Sequence, residues 1–344
     1  MGQPNTGRRF PQSDYNPRPF LGRAGSLMNI AFVFPGQGSQ SVGMLAGLAA
    51  QSPVIQDTFA EASAVLGYDL WQLVREGPKE RLDATEYQQP AMLTAGVATW
   101  RLWRQQGGAE PAVVSGHSLG EFTALVCAGA FELGAAADLV RFRGQVMQEA
   151  VPPGAGAMAA ILGLEDADIE AACREAAQGG VVEAVNFNSP GQVVIAGQAE
   201  AVQRALEAAK RRGAKRALLL PISVPAHSSL MIAAAHRLEA RLGNVALAVP
   251  RIPYLSAVDA VRHEDPADIR GLLVRQLSSP VRWTDTVRAL SASGATHIVE
   301  CGPGRVLTAL NRRIEKRAGL DFVAIEDPAS LAAALAAVKG AAHA

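Results

Sequence analysis

The sequence predicts a mixed α/β protein, with a large domain built on a mostly parallel sheet and a small subdomain inserted into it. Short apolar, β-branched runs alternate with stretches of helical periodicity, which is the pattern of a parallel sheet covered on both faces. Hydrophobic residues make up 49% of the 344 residues and charged residues 19%, as in compact globular chains. This length suggests about two domains.

The first strands and helices of the large domain follow in order after residue 28. Ile30 to Phe34 is an apolar run that predicts a strand, and Pro35 and Gly36 end it. The loop Gly36 to Gln40 (GQGSQ) lacks the lysine and the spacing of a phosphate-binding P-loop. Residues 91–106 have the pattern of a helix, and Ala112 to Ser115 predicts the next strand.

A sharp turn then connects this strand to a helical pattern. Gly116 and Gly120 permit the reversal, because neither has a Cβ that would clash, and they leave Ser118 at the tip of the bend. The pattern G-x-S-x-G is that of a nucleophile elbow, the strand-turn-helix of α/β-hydrolase-like domains. A serine that only caps the helix is the alternative. An elbow serine would face the helix N-terminus, which favours a developing oxyanion and therefore acyl transfer.

The small subdomain is predicted over residues 154–221. Its elements have the order βαββαβ of a ferredoxin-like unit. They are the strand Ala157 to Leu164, the helix Asp166 to Ala177, the hairpin strands Val181 to Phe187 and Gln192 to Ala196, the helix Ala199 to Arg212 and the strand Arg216 to Leu220. The large domain is then formed by residues 28–153 and 222–344, with the strands Ile252 to Leu255 and Thr296 to Cys301 and a helix through Leu272 to Leu277. A cleft between the two parts is expected to hold the site.

Several classes of protein are disfavoured by composition. The formal net charge is zero, which argues against nucleic acid as a partner. No apolar run approaches about 20 residues, so no membrane span is expected. The three cysteines lie far apart without CxxC spacing, which predicts a reducing, cytoplasmic setting without disulfide or metal site. Residues 1–27 contain four prolines and four arginines without periodicity, and predict a disordered extension.

Ser118 needs a base, and histidine is the usual one. His227 is the best candidate of six, since it lies between Pro225 and two serines on a loop beside the expected cleft. His117 is expected to point away from Ser118. The other four are expected to be packed, helical or exposed: His236, His263, His297 and His343. The sequence lacks an evident acid in the order Ser, Asp/Glu, His, so a backbone carbonyl is a candidate third member.

Six motifs in this order resemble one family of enzymes. They are FVFPGQGSQ, GHSLGEFTALVCAGA, RFRGQVMQEAV, NFNSPGQVVIAG, PISVPAHSSLM and LVRQLSSPVRW. Together they resemble the malonyl-CoA:acyl carrier protein transacylases (FabD family) of bacterial fatty acid synthesis. The resemblance implies Ser118 as nucleophile, His227 as base, the main-chain carbonyl of Gln276 as orienting group, and Gln37 and Leu119 as oxyanion donors. It implies malonyl-CoA and holo acyl carrier protein as partners, and no cofactor.

Arg143 is the predicted substrate-binding residue. A malonyl group ends in a carboxylate, which a guanidinium meets with two parallel N–H bonds. Arg143 matches the family position and Arg141 does not; the alternative is a solvated helix arginine. Asn186 and Asn188 match a loop near the cleft and are candidates to position coenzyme A, although NFNSPG also suits a turn.

Three other functions stay open at this stage. A serine hydrolase would use the same elbow with water as acceptor, a polyketide-type acyltransferase would serve another carrier, and an inactive docking module would only bind one. Two basic clusters are candidate docks for an acidic carrier, and a solvated helix face is the alternative for each. They are Lys210-Arg211-Arg212 with Lys215-Arg216, and Arg312-Arg313 with Lys316-Arg317.

Overall fold

The computed structural model describes residues 30–340, whose strands form a six-stranded and a four-stranded sheet. The expected extension at residues 1–27 and His343 lie outside the described residues. The strands are β1 (Ile30–Phe34), β2 (Val113–Gly116), β3 (Gly156–Leu162), β4 (Val182–Ser189), β5 (Gln192–Gln198), β6 (Arg216–Leu219), β7 (Tyr254–Leu255), β8 (Arg262–His263), β9 (His297–Cys301) and β10 (Asp321–Ile325).

Helices separate most of the strands. The α-helices are α1 (Ala46–Ala49), α2 (Val54–Leu66), α3 (Leu70–Glu76), α4 (Lys79–Asp83), α5 (Thr85–Gln105), α6 (Gly120–Cys127), α7 (Leu133–Glu149), α8 (Asp166–Ala177), α9 (Ala199–Arg211), α10 (Ile232–Leu242), α11 (Pro266–Arg275), α12 (Trp283–Ala292), α13 (Val306–Ile314) and α14 (Pro328–Gly340). Two 3₁₀ turns cover Ser229–Met231 and Gln276–Ser278.

The large sheet has the strand order β10-β9-β1-β2-β7-β8, and every pair except β7 with β8 is parallel. This is the mostly parallel sheet that the sequence predicted. All five residues of β1 are buried, because alternate side chains pack into the cores on opposite faces of the sheet. Phe34 of β1 is paired with Gly116 of β2. The loops that follow these two strands therefore leave the sheet side by side, and the site forms there.

The small sheet has the order β4-β5-β3-β6, and all of its strand pairs are antiparallel. Its two faces are buried against different partners. Val193 and Ile195 of β5 pack in the core formed with α8 and α9, whereas Val194 and Ala196 pack in the main core of the large domain. The period of two along the strand thus buries both faces.

Backbone and side-chain bonds connect the small sheet to the large domain. The Phe187 N–H donates to the Val281 carbonyl oxygen at 3.0 Å, and the Val281 N–H donates to the Val185 carbonyl oxygen at 2.8 Å. The Glu183 carboxylate accepts from the backbone N–H and the hydroxyl of Ser229 at 2.7 and 2.8 Å. These bonds hold β4 against the segments that precede α12 and follow His227.

Several predicted elements have different bounds in the structure, and two of these differences have a clear physical reason. Helix α5 begins at Thr85 and not near residue 91, because polar Gln88 and Gln89 interrupt the apolar pattern although both are buried. Strand β7 contains only Tyr254 and Leu255, and Pro253 before it has no N–H to donate to a ladder.

None of the helices within residues 30–340 is both long enough and apolar enough to span a bilayer.

Candidate active site

Ser118 lies at a strained turn between β2 and α6. Its φ is 52°, a left-handed value that is uncommon for a residue other than glycine. A Cβ on Gly116 would lie 2.0 Å from the carbonyl carbon of Gly120, and a Cβ on Gly120 would lie 2.0 Å from the Phe34 carbonyl oxygen. The two glycines therefore allow the helix to start directly against β1 and β2, with Ser118 at the bend.

Gly120→Ala should disrupt this turn, because the new methyl group would overlap backbone of β1 that cannot move aside. We expect the free energy of unfolding to fall by about 3 kcal/mol or more, measured by denaturant unfolding. Gly271→Ala is the matched control, since nothing lies within 4 Å of a Cβ at this position in α11. It should raise stability by about 0.5–1 kcal/mol. Equal stability of the two variants would contradict this account of the turn.

His227 contacts the Ser118 hydroxyl. Its Nδ1 lies 2.8 Å from the main-chain oxygen of Gln276, which can only accept, so Nδ1 carries the ring proton. Its Nε2 lies 2.8 Å from Ser118 Oγ and therefore accepts the hydroxyl hydrogen. A carbonyl thus holds the tautomer that a carboxylate holds in many serine enzymes.

Burial first, and the positive charge of Arg143 second, lower the pKa of His227 to about 3, while the hydrogen bond to Gln276 opposes them. The imidazole is therefore neutral near pH 7. A neutral ring with its lone pair towards Ser118 Oγ can accept the serine proton.

The guanidinium of Arg143, on α7, is fully buried beside Ser118. Nη1 donates to Gln89 Oε1 at 2.9 Å, and Nη2 donates to Gln276 Oε1 at 2.9 Å and to Ser118 Oγ at 3.2 Å. Burial lowers its pKa to about 10, so the group stays charged near neutral pH. All three acceptors are uncharged, and among residues 30–340 its Nε has no hydrogen-bond partner. Such a buried cation can receive an anion from a ligand.

Two backbone donors are available close to the nucleophile. Leu119 follows Ser118 at the start of α6, and Gln37 lines the same cavity as Ser118. Within the described residues, neither the Gln37 nor the Leu119 backbone N–H forms a hydrogen bond. The Gln37 side chain is fixed separately, because its amide donates to Gln88 Oε1. Free N–H groups at a helix N-terminus are the usual donors to an oxyanion.

The two asparagines of β4 lie in different surroundings. Asn186 lines the cavity that contains Ser118, and in the described part of the chain its buried Oδ1 has no hydrogen-bond partner. Asn188 Oδ1 instead lies 2.9 Å from His117 Nε2, and the His117 ring packs on Trp283 with centroids 5.5 Å apart. His117 therefore contacts β4 and α12.

The cavity around Ser118 has a volume of about 80 Å³. Its lining includes Ser118, His227, Asn186, Met147 and Met158. A larger groove of about 730 Å³ adjoins it, and the two share the lining residues Gln37, Thr85, Ile222 and Val224. The small cavity around Ser118 therefore borders a larger groove that has room for a longer substrate arm.

Two buried residues of this site were not found by sequence reasoning. Gln89 holds the Arg143 guanidinium, and Glu121 accepts from the side-chain amide of Gln276. The available signals were a polar residue within a buried helix for Gln89 and a charged residue in an apolar helical run for Glu121.

A serine hydroxyl paired with a neutral imidazole is suited to forming an ester on the serine oxygen. The mixed α/β fold and this pairing together define an enzyme that works through an acyl ester on serine, a class that includes the acyltransferases.

Comparison with known proteins identifies the family. The acyl transferase domain family matches residues 31–326. A malonyl CoA-acyl carrier protein transacylase of Salmonella typhimurium is 56% identical over 309 residues, which cover 90% of this chain and 99% of the relative. A crystal structure of an acyl carrier protein S-malonyltransferase from Vibrio cholerae matches with 57% identity and a TM-score of 0.86, covering 89% of this chain and 99% of its own.

A third match is a solved complex of a malonyl-transacylase with its type II polyketide synthase acyl carrier protein. It has 53% identity and a TM-score of 0.87, and covers 89% of this chain and 99% of its own. The chain belongs to the malonyl CoA-acyl carrier protein transacylase family.

Proposed function

We propose that this protein transfers the malonyl group of malonyl-CoA to the phosphopantetheine thiol of holo acyl carrier protein, for fatty acid synthesis, through a malonyl ester on Ser118. One observation carries the choice of substrate. The guanidinium of Arg143 lies 3.2 Å from the Ser118 hydroxyl and is fully buried. A short diacid on Ser118 would bring its free carboxylate to this cation, whereas an acetyl group would leave the cation without an anion.

The first half of the cycle forms the ester. His227 Nε2 takes the hydroxyl proton as Ser118 Oγ attacks the thioester carbonyl carbon, and the N–H groups of Gln37 and Leu119 stabilise the oxyanion. The C–S bond then breaks, and the coenzyme A sulfur leaves with the proton held by the imidazolium.

The second half reverses these steps with a different thiol. The carrier thiol gives its proton to His227 and attacks the ester carbonyl, and the Ser118 oxygen takes the proton back as it leaves. The groove that adjoins the cavity provides room for either phosphopantetheine arm, with Asn186 and Asn188 as candidate contacts for coenzyme A. No cofactor or metal enters the cycle.

The domain division follows the same proposal. The strand order of the small sheet, together with α8 and α9, supports a ferredoxin-like subdomain over residues 154–221. Residues 28–153 and 222–344 would then form the α/β-hydrolase-like domain. We also propose a cytoplasmic location, which the three buried free cysteines support.

The basic clusters differ in how much of their charge is paired. In the first cluster Lys210, Arg211 and Arg212 pair with glutamates on α8 and α9, so Lys215 and Arg216 remain as exposed cations. In the second, Arg312, Arg313 and Arg317 donate to uncharged oxygens and Lys316 is exposed, so within the described residues no cation of this cluster pairs with a carboxylate. The second cluster is therefore the better candidate dock for an acidic carrier.

Two alternative enzymes differ from the proposed one only in the molecule that accepts the malonyl group from Ser118. A serine hydrolase would release free malonate, and a polyketide-type acyltransferase would prefer the carrier of a polyketide synthase. The solved complex with a type II polyketide synthase carrier favours keeping the second in the test.

Intact-mass analysis distinguishes these functions. With malonyl-CoA alone, the protein should gain the mass of one malonyl group. When the holo acyl carrier protein of fatty acid synthesis is added, that mass should move from this protein to the carrier. Free malonate as main product would favour the hydrolase, and preference for a polyketide carrier would favour the other acyltransferase. Absence of any adduct would reject the enzyme and favour a docking module.

A further inference from the structure

Glu121 is a fully buried carboxylate in the first turn of α6 that the proposed cycle does not use. Its Oε1 accepts from the Ser256 hydroxyl at 3.1 Å and from the Ala257 backbone N–H. Its Oε2 accepts from Nε2 of Gln276. In this set every partner donates to the carboxylate.

The direction of the hydrogen bond between Gln276 and Glu121 follows from the other contacts of the Gln276 amide. Its Oε1 accepts from Arg143 Nη2 at 2.9 Å, and Arg143 can only donate. Its Nε2 donates to the Ser118 carbonyl oxygen at 2.9 Å, and a carbonyl can only accept. The second Nε2 hydrogen is therefore directed at Glu121, which must accept it. A neutral amide at this position would set its N–H group against an N–H group of Gln276 or of Ala257, and a protonated carboxyl could keep both only by donating to the Ser256 hydroxyl, which would have to reverse its own bond.

We propose that Glu121 is a positioning residue for malonyl recognition, whose carboxylate holds the Gln276 amide in the one orientation that aligns the Arg143 guanidinium with the acyl group on Ser118. This inference rests on the proposed function. Under this inference the site contains two carboxylates in turn. The substrate carboxylate comes and goes, whereas the buried carboxylate of Glu121 stays linked to Arg143 through the Gln276 amide.

The charge of Glu121 depends on pH close to neutrality. Burial raises the pKa of Glu121 to about 7, and the hydrogen bonds from Ala257, Gln276 and Ser256 oppose that rise. Glu121 in turn raises the pKa of Arg143. The other ionisable groups at the pair are Tyr254 of β7, whose pKa burial raises, and His227, whose pKa is lowered; both are neutral near pH 7. Glu121 is thus the group here that titrates near neutrality.

The test compares Glu121→Gln with a matched control, Glu300→Gln. Glu300 is also fully buried, but it accepts from the Leu307 and Thr308 backbone N–H groups at the start of α13, outside the reaction cavity. Rates of acyl-enzyme formation would be measured with malonyl-CoA and with acetyl-CoA. For Glu121→Gln we expect kcat/KM for malonyl-CoA to fall about 10- to 100-fold, mostly through KM, and to fall less for acetyl-CoA. Glu300→Gln should keep the wild-type ratio of malonyl to acetyl rates.

The pH dependence of the wild-type protein gives a second test that needs no variant. Protonation of Glu121 converts an acceptor into a donor, so the ratio of malonyl to acetyl rates should fall by up to about 10-fold between pH 8 and pH 6. Glu121→Gln should lack this dependence. A merely structural glutamate would reduce both rates together and leave the ratio flat with pH.

The outcomes separate the two proposals. Wild-type protein that gains no malonyl group defeats the proposed function itself. Labelled wild type with a flat pH ratio, or a folded Glu121→Gln variant with the wild-type ratio, overturns only the role of Glu121.

Discussion

Ser118→Ala should abolish malonyl-enzyme formation, lowering acyl transfer by about 10⁴-fold or more. Alanine removes the Oγ that lies 2.8 Å from His227 Nε2, and no other residue from Gly116 to Gly120 has a hydroxyl. The replacement keeps a small side chain at φ 52°, so the strained backbone and the fold should be retained. The measurement is the intact mass after incubation with malonyl-CoA, together with the rate of transfer to holo carrier protein.

Ser115→Ala is the matched control for this experiment. Ser115 is a buried serine of β2, three residues before the nucleophile, and in the described chain its hydroxyl has no hydrogen-bond partner. Its loss should therefore leave labelling within a few-fold of wild type. A Ser118→Ala protein that still gained one malonyl group per chain would show that another residue carries the ester.

The turn around Ser118 could be predicted from sequence because its constraints are local. Gly116 and Gly120 are four positions apart, and their lack of a Cβ has a steric meaning that needs no knowledge of the rest of the fold. The structure supplies what the pattern could not, namely that the nearest obstacle to a Cβ on Gly120 is the backbone of β1, at Phe34. The parallel sheet was predicted for the same reason, since a fully buried strand such as β1 has an apolar run that identifies it.

The hydrogen bonds that hold Arg143 and Gln276 in place could not be predicted, because they join residues that are distant in the chain. Gln276 Nε2 and Glu121 Oε2 belong to residues 155 positions apart, and Gln89 and Arg143 are 54 positions apart. A buried polar residue looks like an exposed one in the sequence until its partner is known. For Gln89 this had a second effect, because the polar residues before Pro90 concealed the first turns of α5.

The resemblance to a family predicted more of the site than the residues alone did. A carbonyl as the third group at His227 was one open possibility from the sequence, and the resemblance pointed to Gln276. In the structure His227 Nδ1 lies 2.8 Å from that carbonyl oxygen, which Gln276 presents at the 3₁₀ turn after α11. Turn geometry of this kind leaves little pattern in a sequence, which is why periodicity alone placed a helix through this segment.

Arg143→Lys should separate charge from geometry in malonyl recognition. Lysine keeps the positive charge, but a single ammonium cannot reproduce the two parallel N–H bonds of a guanidinium, and it would leave Gln89 Oε1 or Gln276 Oε1 without its donor. We expect kcat/KM for malonyl-CoA to fall about 100-fold, which corresponds to about 3 kcal/mol of transition-state stabilisation. Acetyl-CoA, which brings no carboxylate, should lose much less, so the ratio of the two rates is the quantity to measure.

Arg141→Lys provides the control on the same helix. Arg141 lies two residues before Arg143, but its guanidinium pairs with Asp138 at 2.6 Å outside the reaction cavity, where lysine can serve as well. The two conservative substitutions therefore compare a buried guanidinium beside Ser118 with a partly exposed, ion-paired one on the same helix. If both variants kept the wild-type preference for malonyl over acetyl, the buried cation would serve the stability of the fold, and the substrate carboxylate would have to be bound by other residues of the cavity.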